Sequence, residues 1–334
     1  MDFLMKIMLS GISFVFIASC MIMQERQKHD PLAGKCICID PGHGGTAATD
    51  QYRIGLAGER EEWIDMRVAL MLRDMLEERG ARVIMTRIED VQVALKGRAI
   101  LSVDNNADVF LSIHHNATAD RSVNFPIIYY HGNASENEAS VFLGKCLALR
   151  LREAMFMPQT PVSLVSDHTI FPQAGTAVLR HSYGIPGIIG EASFFSNPEE
   201  EQRLKDESYN RKEAQAYLRA LEDFFSAPVA PIMEIYSGGK VDPFEVFQED
   251  ERMNETAQRW YQDYLDAHEL MQSEDMQTLQ RAYDLFTRSA RSFPDSWVAR
   301  ECHAYRAELL RRFGREGKAA MELRRVAEYY VDLK

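Results

Sequence analysis

From Lys35 to about Phe225, short runs rich in β-branched residues alternate with stretches of helical periodicity. That alternation is the pattern of βαβ units, and it predicts an α/β fold: a mostly parallel central sheet flanked by helices. The predicted strands fall at residues 36–40, 82–85, 109–113, 126–130 and 187–191. Between the first two, Ile64, Val68, Leu72, Met75 and Leu76 recur at helical spacing and form one apolar face, with Gly80 placed to cap the helix at its C-terminal end.

The chain has 334 residues, 46% of them hydrophobic, which is enough for more than one core. Residues 34–226 form the predicted α/β domain. Residues 227–248 carry Pro228, Pro231, Gly238, Gly239 and Pro243 with few periodic apolar positions, and read as a linker. Residues 249–334 have almost no glycine or proline and read as a small all-α unit. Within it AYDLFTRSARSF, from Ala282 to Phe293, is echoed weakly by AAMELRRVAEYY, from Ala319 to Tyr330. The offset is close to the tetratricopeptide period of about 34 residues. A plain three- or four-helix cap fits as well, because repeat stacks usually need three or more units. Either form offers a surface for a protein partner.

Fifty acidic against 38 basic residues give a net charge of −12, which repels nucleic acid and excludes that class of partner. The N-terminal apolar run, from Ile7 to Ala18, is shorter than the roughly 20 residues that span a bilayer. Residues 1–19 therefore read as a secretion signal. The run ends in Ile17-Ala18-Ser19-Cys20, which resembles the lipobox of bacterial lipoproteins, so Cys20 is the expected lipidation site; the competing reading is an uncleaved anchor helix. Both place the folded part outside the cytoplasm, in the periplasm or cell envelope. Cys36, Cys38, Cys146 and Cys302 lack zinc-ribbon spacing and suit small apolar core positions, with a disulfide left open.

Four places in the α/β region carry chemistry. His43 follows the first strand in Asp40-Pro41-Gly42-His43-Gly44-Gly45, where glycines let the backbone turn sharply at the strand's carboxyl end. His114 and His115 end the third strand in Ser112-Ile113-His114-His115-Asn116. Alternation puts them on opposite faces without choosing between them. Glu59, Glu61 and Glu62 precede the amphipathic helix, and at 100° per residue only Glu61 projects along the stripe of Ile64, Val68 and Leu72. An acid on a buried face needs a partner, and a cation is an obvious one. Glu191 ends the last strand, where burial raises a carboxyl pKa toward the range of a general base. Two histidines, a carboxylate and an open position make a catalytic zinc site of the His2Glu type, and a further glutamate completes a hydrolase.

In order, DPGHGG, an acid opening a helix, Thr86-Arg87 after the next strand, SIHHNA and GEASFFSNPEE resemble the zinc-dependent N-acetylmuramoyl-L-alanine amidases of bacteria, over about Lys35 to Phe225. The resemblance implies that His43, Glu61 and His114 bind Zn2+ and that Glu191 is the catalytic glutamate. It implies hydrolysis of the amide between N-acetylmuramic acid and L-alanine in peptidoglycan, by metal-assisted attack of water. Two departures stand out: His115 where the family usually has alanine, and Ala192-Ser193 where it usually has leucine-glycine. His115 is thereby a further candidate ligand or donor near the metal. The competing functions are a non-catalytic peptidoglycan-binding scaffold lipoprotein and a zinc peptidase acting on another bond of the wall. Residues 118–177 are long enough to hold a regulatory helix over the site.

Overall fold

The structure is a computed structural model that describes residues 30–45, 53–235 and 241–333. The signal segment and Cys20 lie outside the described residues. Six strands form one sheet: β1 (Cys36–Pro41), β2 (Arg82–Met85), β3 (Val109–Asn116), β4 (Ile127–Tyr130), β5 (Ser163–Ser166) and β6 (Gly187–Phe194), in the order β2-β1-β3-β6-β4-β5. Strands β2, β1, β3 and β6 are parallel; β4 is antiparallel to β6, and β5 is parallel to β4. The mostly parallel sheet is thus as expected, with a reversed pair at one edge. The cause is local: the connection from Ala117 to Pro126 holds no helix, and a parallel crossover needs a dozen or more residues. Strand β5, SLVS, was not predicted, because four residues framed by serines carry little strand signal.

Helices α1 (Glu61–Glu78), α2 (Leu95–Asp104), α3 (Glu138–Met155), α4 (Ala177–His181), α5 (Pro198–Leu204) and α6 (Glu207–Phe225) belong to the α/β region. Ile37, Ile39, Leu111, Ile113 and Ile188 point to one face, where they pack with Ile64, Val68 and Leu72 of α1, Leu147 and Leu151 of α3, and Tyr217 and Leu221 of α6. Helix α1 follows the predicted stripe and ends before Gly80, whose φ of +80° is the left-handed geometry a C-terminal cap requires.

The alternate residues Cys36, Cys38, Phe110, Ile127, Tyr129 and Ile189 face the other way, into a core completed by the C-terminal helices. These are α7 (Glu249–Arg252), α8 (Glu255–Gln258), α9 (Trp260–Leu270), α10 (Met276–Ser292), α11 (Ala299–Arg312) and α12 (Glu316–Tyr329). Phe125 stacks on Phe194 at 5.3 Å and meets Phe293 at 6.0 Å, while Trp260 meets Phe293 at 4.9 Å. The Val331 amide donates to the Leu164 carbonyl at 3.0 Å on the edge strand. Segments 226–235 and 241–248 contain no helix or strand, although Val241 and Val246 are buried. The helical unit and the sheet therefore share one core. Among the described residues no helix is long and apolar enough to cross a membrane. Cys36, Cys38, Cys146 and Cys302 are buried free thiols.

Candidate active site

The loop after β1 turns back so tightly that His43 takes a left-handed backbone, φ +52°, followed by Gly44 at +107° and Gly45 at +70°. Two buried arginines hold this shape. Arg87 donates to the carbonyls of Pro41 (3.0 Å) and Gly42 (2.6 Å), and Arg98 to that of Pro41 (2.7 Å), to Asp40 Oδ1 (2.8 Å) and to the His43 carbonyl. Asp40 also accepts from Ser112 and Thr86, which ties the loop to β3 and to the end of β2. Gly42 is obligatory for a further reason: a Cβ there would lie 2.4 Å from the His114 ring.

Strand β3 runs past its predicted end and carries both histidines, with a register shift just beyond His114. His114 shares the face of Phe110 and Ser112 and lies beside His43, their rings 4.7 Å apart. Glu61, the first residue of α1, completes the group: its Oε1 is 2.9 Å from His43 Nε2 and 3.0 Å from His114 Nδ1. Its Oε2 accepts from Arg53 at 3.2 Å. Donor atoms of His43, Glu61 and His114 all lie within 4.8 Å of one another. Glu59 and Glu62 point elsewhere, paired with Arg67 and Arg60.

Burial depresses the His114 pKa to about 4, so this ring is neutral, as a metal ligand must be. Burial opposes ionisation of Glu61, yet the two histidines overcome it and hold the carboxyl well below its usual range. Burial also disfavours a charged His43, and Glu61 outweighs that, raising its pKa. Three donors closing on one point, one anionic and one a neutral imidazole, are the donor set that would suit a divalent cation such as zinc.

Glu191 lies directly across from His114 in the parallel register of β3 and β6, on the same face. Its Oε2 is shut off from solvent and has no hydrogen-bond partner among the described residues. Burial, reinforced by the negative charges of Glu61 and Asp65, raises its pKa well above the ordinary carboxylate value.

His115 corrects one expectation. Its ring points to the opposite face of the sheet, fully buried, with Nδ1 2.8 Å from Asp65 and Nε2 3.0 Å from Glu213. Both nitrogens are committed, so it is no ligand. Helix α3 of the 118–177 segment also packs on that opposite face, while Ile170, Phe171 and Thr176 of the loop after β5 reach the cleft. The cleft, of about 340 Å³, is bounded as well by Tyr129 and Ile189 and by Phe247, Gln248, Arg252 and Met253 from beyond the α/β region. Sequence reasoning gave none of those four a role, nor Arg98, and no motif marks them. Arg87 lay within the recognised Thr86-Arg87 pair.

This sheet, with donors at the carboxyl ends of adjacent parallel strands, defines an α/β protein built around three convergent donors that could hold a metal ion and a buried carboxylate beside them. Residues 37–223 match the profile of the N-acetylmuramoyl-L-alanine amidases, and the chain belongs to that family. The probable cell wall amidase LytH of Staphylococcus aureus is 29% identical over 211 residues, covering 62% of this chain and 64% of that protein. The chain thus matches less than two thirds of the length of that relative. Among solved structures, the CwlD amidase from Clostridioides difficile, in complex with the GerS lipoprotein, superimposes with a TM-score of 0.50 at 26% identity, covering 58% of this chain and 99% of that one. The amidase AmiC2 of Nostoc punctiforme gives 0.49 at 25% identity, with coverages of 58% and 99%.

Proposed function

We propose that this protein is a zinc-dependent amidase that hydrolyses the bond between N-acetylmuramic acid and L-alanine in peptidoglycan. The observation that carries the reading is the pairing of His114 with Glu191 across adjacent strands, which sets an unpartnered carboxylate beside the three convergent donors. His43, Glu61 and His114 would hold the metal. When bound, zinc supplies Lewis acidity to the scissile carbonyl and makes attacking water more acidic. Glu191, with its raised affinity for protons, takes the proton from that water and delivers it to the leaving amine of L-alanine. Arg53 steadies the outer oxygen of Glu61, and the Arg87 and Arg98 clamps keep His43 aimed inward.

Acylation of Cys20 would tether the enzyme in the cell envelope, within reach of the polymer. A protein partner is a further element of this reading, since the CwlD amidase was solved in complex with the GerS lipoprotein.

The test is mass spectrometry of purified peptidoglycan digested by the protein, beside Glu191→Ala and a chelator-treated sample. Release of intact stem peptides with free L-alanine amino groups, lost in both controls, is expected. Products cut at another bond, or no products from folded, zinc-loaded protein, would overturn the assignment.

A further inference from the structure

The C-terminal unit does more than cover a sheet face. Arg252, at the end of α7, lines the same cleft as Glu191 and the three donors, yet lies beyond residue 223, where the family match ends. Its guanidinium is fixed from behind. One nitrogen, Nη2, donates to Asp295 Oδ1 at 3.0 Å, and the guanidinium carbon sits 5.6 Å from the Phe293 ring. Asp295 is wholly buried and accepts in turn from the Tyr129 hydroxyl of β4, so the cation is tied to the catalytic sheet. The other guanidinium N–H groups have no protein acceptor among the described residues, and a fifth of the side chain remains exposed. Arg53, the cleft's other arginine, is drawn to Glu61.

A preorganised planar cation with donors to spare is suited to a carboxylate, which it can grip through two parallel hydrogen bonds. The chemistry of the proposed substrate decides where that carboxylate is. In an N-acetylmuramoyl peptide the sugar's own lactyl carboxyl is consumed in the scissile amide, leaving hydroxyls and an acetamide on the glycan side. A carboxylate can come only from the peptide.

We infer that Arg252 is a specificity-determining residue, contributed by the helical unit, that reads a carboxylate on the peptide side of the scissile amide. The inference rests on the amidase reading for the identity of the ligand, but its test does not depend on turnover. In the uncleaving Glu191→Ala full chain, calorimetry would measure binding of N-acetylmuramoyl-L-alanyl-D-glutamate and of the same compound with both carboxyls as carboxamides. One charge-assisted hydrogen bond predicts about tenfold or greater preference for the acid. Arg252→Gln should reduce the preference to within about twofold and Arg252→Lys should restore part of it, the hydrogen-bonded charge being lost and then partly replaced. The double variant Arg252→Gln/Asp295→Asn, which leaves no buried charge unpaired, should match the single one. Equal affinity of the parent for both compounds, binding of neither, or preference persisting in the double variant would overturn the inference. Failure of wild-type protein to cleave peptidoglycan bears instead on the amidase reading.

Discussion

The imidazole of His115 lies between two carboxylates on the face away from the cleft, 2.8 Å from Asp65 of α1 and 3.0 Å from Glu213 of α6. Burial works against charge on this ring, but Glu213 and Asp65 outweigh it and raise its pKa well above the usual value. Because His114 precedes it and Glu61 is one turn before Asp65, the ion group also staples the strand and helix that present two of the three donors. Removing one partner from a buried ionic group leaves the others uncompensated. His115→Ala is therefore expected to cost about 3–5 kcal/mol in denaturant unfolding. A loss under about 1 kcal/mol would mean that the ion group does not hold the strand to the helix.

Gly42→Ala should separate fold from site. The added methyl falls 2.4 Å from the His114 ring, which must swing away, whereas the surrounding arginine clamps act on backbone carbonyls that remain. Zinc affinity, read by competition with a chromophoric chelator, should fall at least tenfold, the scale of lost ligand orientation, while the circular dichroism spectrum holds. Unchanged affinity would show that His114 is not a ligand.

Glu191→Gln keeps the shape of the side chain and removes the carboxylate assigned here as the base. Turnover should fall about 10²- to 10⁴-fold, the usual range for a proton-transfer group, with bound zinc unchanged by metal analysis. Loss of zinc together with activity would assign Glu191 to the ligand set.

A pH effect is expected from the helical unit. His303 is buried, its Nδ1 2.6 Å from Glu322, with Arg306 and Arg325 flanking that carboxylate and the Phe244 and Tyr330 rings against the imidazole. Burial lowers its pKa to about 4, from 6.5 in the unfolded chain. Between those values the unfolded chain binds a proton that the folded one refuses. Stability is therefore full above about pH 6.5 and falls toward pH 4, by up to about 1.4 kcal/mol per unit. His303→Asn should lack this increment; a variant with the wild-type slope would refute the assignment.

Phe293 joins the two regions, touching Trp260 on one side and Phe125 and Phe194 on the other. Phe293→Ala should cost about 3–5 kcal/mol as a large core truncation. Tryptophan fluorescence, from Trp260 and Trp297 in the helical unit and Trp63 in α1, should still follow the same transition as circular dichroism. Separate transitions would mean that the shared core does not couple the regions.

Much of this was legible in the sequence because the features were local. The period of α1 selected Glu61 over its neighbours before any partner was known, and alternation placed His114 and His115 on opposite faces. Which face held the site depended on Glu61, His43 and Glu191 arriving there, a matter of tertiary pairing that the motif order supplied. Reversal of β4 and β5 was hidden because strand direction follows from connection geometry, not from residue type. Arg98 and Arg252 left no signal: an arginine on a helix reads as solvated until the carbonyls or carboxylates it meets, 40 to 60 residues away, are in place.

The aromatic layer between sheet and helices also fixes where this protein can be cut. A chain ended after residue 226, at the edge of the α/β region, would keep His43, Glu61, His114 and Glu191, yet bring Phe125, Phe194, Tyr129 and Ile189 to water as one sticky patch. Such a fragment would tend to aggregate on expression. Transplanting this catalytic half into another scaffold would require resurfacing that face first.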